Sequence, residues 1–498
     1  MTLTPEEQQA AQQYAAEIKK QLEANSWIGD KIQEILDFLP FAEYALIEYM
    51  VLKNAWGNHP IPPPPKDYVK GQGVIEFGLF LYWFKNPWEL DLSQFSGTQK
   101  AYLIGLVLAM DYYLPPSKLD LSHFEYFKTN ELIYVDGTVL STKPFANFDQ
   151  GWFTAFLNLF ITVKDTLWYN GGTFPTTSPP VIPLQGKAPN TVSIAILGDW
   201  GAGNPAAMAV MDQIQQVIKP DYIIHVGDTY YGGTPALNSP TGDKYFAPGE
   251  ELANLVNLWP SAWNGKSFTL NSNHEMYSGA NGLYYDALLN PKSPFTAQKG
   301  SGCFALKLGD WTLVGLDSAY NSSSFSAFMT GSIGEKGGFQ TQWLQSLQLD
   351  PKKTIVFTHH NGFEDDTTSA SPLWAEIHYA LKGDPFAWYW GHVHNGIVYT
   401  QPITIPNTKM VPGFTTATYA RCLGHAALPY GLATSLEQPP AKNNITYKAD
   451  SPQPFPSKQL YNGFAVLTLT TSHGKVSGIS EAFYDPSSNT AKYTKRLL

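Results

Sequence analysis

The sequence predicts an α/β fold from about residue 186 onward, preceded by a mostly helical region. Three observations support this. The apolar run Ile194-Ala195-Ile196-Leu197 stops at Gly198-Asp199, as a strand buried on both faces does where it opens into a loop. Pro205–Val217 then carries apolar residues at helical spacing and leads into Asp221-Tyr-Ile-Ile-His-Val-Gly-Asp228. Strand, helix and strand in that order make a βαβ unit, and therefore parallel strands. Ahead of residue 186 the spacing is that of helices, with Pro-rich breaks.

The elements follow in order. Thr4-Pro5-Glu6-Glu7 has a capping hydroxyl, Pro at the first helical position and acids at the positive end of the dipole, so it starts a helix. Helical pattern runs on to Val51, and His59-Pro60-Ile61-Pro62-Pro63-Pro64-Pro65 stops it. Gln99–Tyr113 and Phe153–Thr166 read as further helices, and Leu132–Leu140 as a hairpin turning at Asp136-Gly137. Gly171–Pro180 has linker composition, which puts a domain boundary near residue 185: 1–185, and 186–498. Later strands are expected at Ser267–Leu270, Phe304–Leu308, Thr312–Leu316, Lys353–Thr358 and Phe386–Tyr389. Gly463–Thr470 and Lys475–Ala482 should form a hairpin, whereas 401–460 reads as irregular surface loops.

Bulk properties narrow the class. With 498 residues, 15% charged and 14% aromatic, the chain has ample material for a core. A formal charge of -10 argues against a nucleic-acid partner, but not against a small phosphorylated substrate beside bound cations. Cys303 and Cys422 are the only cysteines and read as inert buried thiols. The N-terminus lacks the basic start and apolar core of a signal peptide. The apolar stretches Val74–Phe84 and Ala101–Met110 fall short of the roughly 18–20 residues of a spanning helix. A cytoplasmic protein without a transmembrane segment is the expectation; oligomeric state is not legible.

Chemistry gathers at the strand ends. Asp199 ends the first strand, and Asp228 the second, followed by Thr229-Tyr230-Tyr231. The third runs into Ser272-Asn273-His274-Glu275, the fourth into His359-His360 and the fifth into Gly391-His392-Val393-His394. Two cations held close together require a bridging carboxylate, oxygen and imidazole donors, and open positions. These residues supply those parts, and His392 and His394 would share a side if the segment were extended.

The set resembles the calcineurin-like metallophosphoesterases, and within them the purple acid phosphatases. The matching blocks are Asp199-Trp-Gly201, Gly227-Asp-Thr-Tyr-Tyr231, Ser272-Asn-His-Glu275, Val356-Phe-Thr-His359 and Gly391-His-Val-His394. The resemblance spans about 190–395 plus the closing hairpin, and implies an α/β/β/α sandwich acting as a phosphoester hydrolase. It implies that Asp199, Asp228, Tyr231 and His394 hold one metal, and that Asp228, Asn273, His359 and His392 hold the other. Two ions are implied, Fe(III) plus a divalent ion (Fe, Zn or Mn). Gly201 stands where most of the wider family has His, leaving the first metal a donor short unless a tyrosine supplies one. Tyr231 has the family spacing; Tyr230 competes. Ser272 replaces the family's Gly, which could shift Asn273.

A metal pair of this kind acidifies bound water to a pKa of about 7 and so yields hydroxide as nucleophile. His274 then reads as the catalytic residue that protonates the leaving oxygen, or else as a structural hydrogen-bonding residue. Glu275 would orient His274 or sit at the surface. His360 either touches phosphate or packs, and His225 and His378 read as structural. Arg421 and His425 read as binding the substrate's phosphate or leaving group, with a surface ion pair as the alternative for Arg421. Phosphomonoester hydrolysis leads. The alternatives are phosphodiester or nucleotide pyrophosphate hydrolysis, or a non-catalytic binding relative. Residues 1–185, rich in aromatics, read as an ordinarily packed, mostly helical domain of unknown role; the alternatives are a membrane-facing or lid surface, a stabilising role, or a docking module.

Overall fold

The computed structural model describes residues 178–498 except 246, 323–327, 409–410, 429–434, 438 and 450–460; it also describes 133–135, 138–140, 155, 158 and 162. The helices expected before residue 132 lie outside the described residues. The chain divides into two units, Met1–Asn158 with Phe455–Ser457, and Leu159–Pro454 with Lys458–Leu498. In the first unit, strands β1 (Ile133–Val135) and β2 (Thr138–Leu140) pair antiparallel with Val135 opposite Thr138, whereas the expected turn residues 136 and 137 lie outside the described residues. Residues 155, 158 and 162, within the expected Phe153–Thr166 helix, are helical.

The second unit is built on two sheets. Strands β4 (Thr191–Leu197), β5 (Tyr222–His225) and β6 (Ser267–Thr269) run parallel. β16 (Phe464–Ser472), β17 (Lys475–Tyr484) and β18 (Tyr493–Arg496) extend that sheet antiparallel from β4. The other sheet has eight strands, in the order β15 (Ile445–Lys448), β11 (Gly396–Tyr399), β14 (Tyr419–Leu423), β10 (Ala387–Trp390), β9 (Thr354–Thr358), β8 (Trp311–Gly315), β7 (Phe304–Leu308) and β3 (Val181–Pro183).

Alternation along these strands explains the layers. Ile355, Phe357 and Tyr389 join Ile194, Ile196, Ile224 and Phe268 of the first sheet in one core. Val356, Trp388 and Trp390, one residue out of phase, join a second core with the helices Phe339–Ser346 and Pro372–Leu381. Two sheets therefore pack face to face, with helices covering the outer side. Helix α1 (Pro205–Gln213) is capped by Asn204, starts with Pro, and buries Ala207, Val210 and Met211. Among the described residues no helix is long and apolar enough to cross a membrane.

One expectation fails. Residues 401–460 are not only surface loops: they contain the hairpin β12 (Ile403–Ile405) and β13 (Phe414–Thr416), the edge strand β15, and β14 inside the eight-stranded sheet. Tyr419-Ala-Arg-Cys-Leu423 does not read as a buried strand because of its central charge. Arg421 is nevertheless fully buried, and its Nε and Nη2 donate to Glu481 of β17 at 2.6–3.0 Å while Tyr389 donates to the same carboxylate at 2.8 Å. Arg421 thus joins the two sheets, with its guanidinium engaged in a buried ion pair. Arg421→Met should destabilise the protein by about 3–5 kcal/mol, because Glu481 is left buried and unpaired. Urea denaturation measures this; unchanged stability would contradict it.

Candidate metal centre

The ends of β4, β5, β9 and β10 and the short helix after β6 open on the same edge of the sandwich. Asp199, Asp228 and His392 all have positive φ (58°, 77° and 66°), a conformation that is uncommon for residues with a side chain and concentrates at functional sites. Close approach fixes the glycines. A Cβ on Gly227 would lie 2.8 Å from His359 Nδ1 and 2.9 Å from the Ser272 Cβ. A Cβ on Gly201 would lie 2.7 Å from the Asp228 carbonyl oxygen, so no histidine fits there.

Two groups of donors meet across Asp228. On one side stand Asp228 Oδ1, Asn273 Oδ1, His359 Nε2 and His392 Nδ1. His359 Nε2 is 2.8 Å from Asn273 Oδ1 and 3.2 Å from Asp228 Oδ1, and His392 Nδ1 is 3.1 Å from Asn273 Oδ1. His359 Nδ1 donates to the Val226 carbonyl at 2.9 Å, so its Nε2 carries a lone pair. Acceptors therefore face acceptors, and the buried Asp228 Oδ1 has no hydrogen bond among the described residues.

On the other side stand Asp228 Oδ2, Asp199 Oδ1, His394 Nε2 and a tyrosine hydroxyl. His394 Nε2 lies 3.2 Å from Asp199 Oδ1. The tyrosine is Tyr230, whose Oη is 2.8 Å from Asp228 Oδ2, 3.0 Å from His394 Nε2 and 3.2 Å from Asp199 Oδ1. One phenolic proton cannot serve three acceptors.

The expectation of Tyr231 thus gives way to Tyr230, for a geometric reason. Thr229 is bridged in parallel to Gly201, so the segment is extended there, and residues 228 and 230 share a face. Tyr231 contributes its backbone: its N–H donates to Glu250 Oε1 at 2.9 Å, and its carbonyl lies 2.7 Å from His274 Nδ1. His392 and His394 both reach the centre, though by a bend at His392 and not by a shared extended face, so each ring serves a different donor group.

Burial, followed by the charge of Asp228, pushes Asp199 up. Burial also works against the Asp228 carboxylate, but His359 and His274 hold it below the usual range. Burial lowers His359 and His392, and brings His394 down to about 3, so the imidazoles are neutral and ready to bind cations.

Other candidates resolve differently. Ser272 sits at φ −138° and caps the helix Asn273–Met276, accepting from the His274 N–H at 3.1 Å, so no glycine is required there. Glu275 is fully buried and bonds Ser272 Oγ, not His274, which is oriented instead by the Tyr231 carbonyl. His360 is occupied by Ser318 Oγ at 2.9 Å and the Phe328 carbonyl at 2.7 Å, which is the packing role. His225 is buried against Thr269, His378 pairs with Asp384, and His425 is wedged beside Gly396 and Gly463 in the interior. Both cysteines are buried free thiols, as expected.

Fold and site together define a metallophosphoesterase domain. The family model for calcineurin-like phosphoesterase matches residues 192–396, and that segment of the chain belongs to the family. Among curated proteins no match is found. Similar solved structures include "GAP50 the anchor in the inner membrane complex of Plasmodium", 15% identical over 61% of this chain and 88% of that one, with a TM-score of 0.41. PhoD is 12% identical over 64% and 73%, with a TM-score of 0.33. A conserved phosphoesterase-type protein of Streptococcus pneumoniae is 12% identical over 62% and 98%, with a TM-score of 0.24. These superpositions are too loose to bear on function.

Proposed function

We propose that this protein is a phosphomonoesterase of the purple acid phosphatase type with a two-cation centre bridged by Asp228. The observation that carries the reading is the convergence of His359 Nε2, Asn273 Oδ1 and Asp228 Oδ1, three acceptors within 2.8–3.2 Å of one another along the chain of contacts. A cation between them removes that repulsion. Asp199, Asp228, Tyr230 and His394 would hold one ion, and Asp228, Asn273, His359 and His392 the other. Tyr230 is a hard anionic donor once deprotonated, which favours Fe(III) at the first position beside a divalent Fe, Zn or Mn at the second.

When bound, the pair supplies Lewis-acid charge for the phosphoryl oxygens and an acidified water. The side chains do the rest. Asp228, buried between both donor groups, fixes their spacing. His274 presents Nε2 to the site, 3.9 Å from Asp228 Oδ2, because the Tyr231 carbonyl holds its Nδ1 proton. From there its imidazolium form, with a second proton on Nε2, can donate that proton to the leaving oxygen. Its ring is confined between Tyr230 and Tyr277, at 4.6 and 4.9 Å between centroids. His274→Asn should lower kcat about 10²–10⁴-fold for an alkyl phosphate, and much less for p-nitrophenyl phosphate, whose leaving group needs no proton. Equal losses on both substrates would remove His274 from this role. Absence of any metal-dependent phosphatase activity from the loaded protein would sink the enzyme reading as a whole.

A further inference from the structure

Behind the loop that carries Tyr230, on the face opposite the metal centre, lies a second group of oxygen donors. Thr229 points away from Asp228, as the residue between two that share a face must. Its fully buried hydroxyl faces the carboxyls of Glu251 and Glu275. Both glutamates are themselves fully buried. Glu275 Oε2 is taken by Ser272 Oγ. Glu275 Oε1, both oxygens of Glu251 and Thr229 Oγ1 complete no hydrogen bond among the described residues. The two glutamates converge at Gly233, where an added Cβ would lie 2.9 Å from Glu275 Cγ and 3.2 Å from Glu251 Oε2.

The neighbouring carboxylates show what ordinary satisfaction looks like here. Glu250 accepts from the N–H groups of Tyr231, Gly232 and Thr234. Asp286 accepts from the Ala236 N–H and the Ser239 hydroxyl, each at 2.6 Å. Glu251 and Glu275 have no backbone N–H donors of this kind: beyond Ser272 Oγ on Glu275, only the Thr229 hydroxyl stands beside them, and the charges acting on Glu251 are those of Glu275, Asp286 and Glu250, all of like sign. A buried, unpaired carboxylate pair is expensive unless something positive joins it.

We propose that Glu251, Glu275 and Thr229 bind a hard divalent cation of the Ca²⁺ or Mg²⁺ class, distinct from the two ions of the catalytic centre. The donors are all oxygen, which suits hard ions and disfavours zinc. Such an ion ties three pieces together: the 229–234 loop that carries Tyr230, the helix Glu250–Asn254, and the helix Asn273–Met276 that carries Asn273 and His274. It would therefore brace both halves of the catalytic centre from outside.

The test uses native protein with its catalytic metals in place. Equilibrium dialysis against ⁴⁵Ca²⁺, with Mg²⁺ as competitor, should show one saturable equivalent per chain. At a hundredfold excess over Kd the Tm should rise by about 5 °C. Glu251→Gln should lose both responses while keeping its iron-type metal content. If Glu251→Gln does not fold, Thr229→Ala serves, with weakened Ca²⁺ binding expected. No saturable Ca²⁺ or Mg²⁺ in the native protein, with Glu251→Gln as stable as the native chain, would show that the carboxyls share a proton and would overturn the proposal. The two readings fail separately: Asp228→Asn strips the catalytic ions, whereas Glu251→Gln strips only this one.

Discussion

Asp228→Asn should lose metal content and phosphatase rate together, the rate by about 10³-fold or more, which corresponds to about 4 kcal/mol of lost charge stabilisation. Asn has the shape of Asp but offers one oxygen, so it cannot face both donor groups. The same change should leave the metal-free protein no less stable, because Asp199 and Asp228 repel each other when no cation lies between them. Elemental analysis, initial rates and a urea melt of the metal-free form check the three parts. Full metal content with full rate would remove Asp228 from the bridging role.

Tyr230→Phe and Tyr231→Phe should separate cleanly. Tyr230→Phe is expected to abolish the broad visible band of a phenolate bound to iron. It should also weaken the first ion by at least the ~10–100-fold that losing even an outer partner costs. Tyr231→Phe should keep the band, since the residue serves the site through its N–H to Glu250 and its carbonyl to His274. The reverse pattern would restore the spacing-based assignment. Absorption spectra of the two variants at equal iron loading decide it.

Much of this was legible in the sequence, and the misses have physical causes. Buried parallel strands announce themselves as apolar runs, which is why β4, β5, β7 and β9 fall where periodicity places them. The strand-end carboxylates and imidazoles could be read because loops at that edge of a parallel sheet are where ligands gather. The tyrosine could not be read by spacing alone, because the side a residue faces depends on backbone conformation. The Gly201–Thr229 bridge keeps that segment extended, and this is a tertiary contact. His392 shows the same limit, since its turn at φ 66° replaces the expected alternation.

The buried charges were invisible for a different reason. Arg421 looks like a surface residue until Glu481, 60 positions away and on the other sheet, is seen to neutralise it. Glu275 looks like a partner for His274 until Ser272 and Glu251 claim its surroundings. Long-range pairing of this kind leaves no local pattern. Ser272, by contrast, explains itself once seen: it caps the helix that carries Asn273 and His274.

The most direct test of the two-cation centre is a crystal structure of the metal-loaded protein with anomalous scattering at the iron edge and at the edge of the second metal. Two peaks about 3.5–4 Å apart are expected on either side of the Asp228 carboxylate. One should be flanked by Asp199, Tyr230 and His394, and the other by Asn273, His359 and His392. A single peak, or peaks that do not touch Asp228, would contradict it.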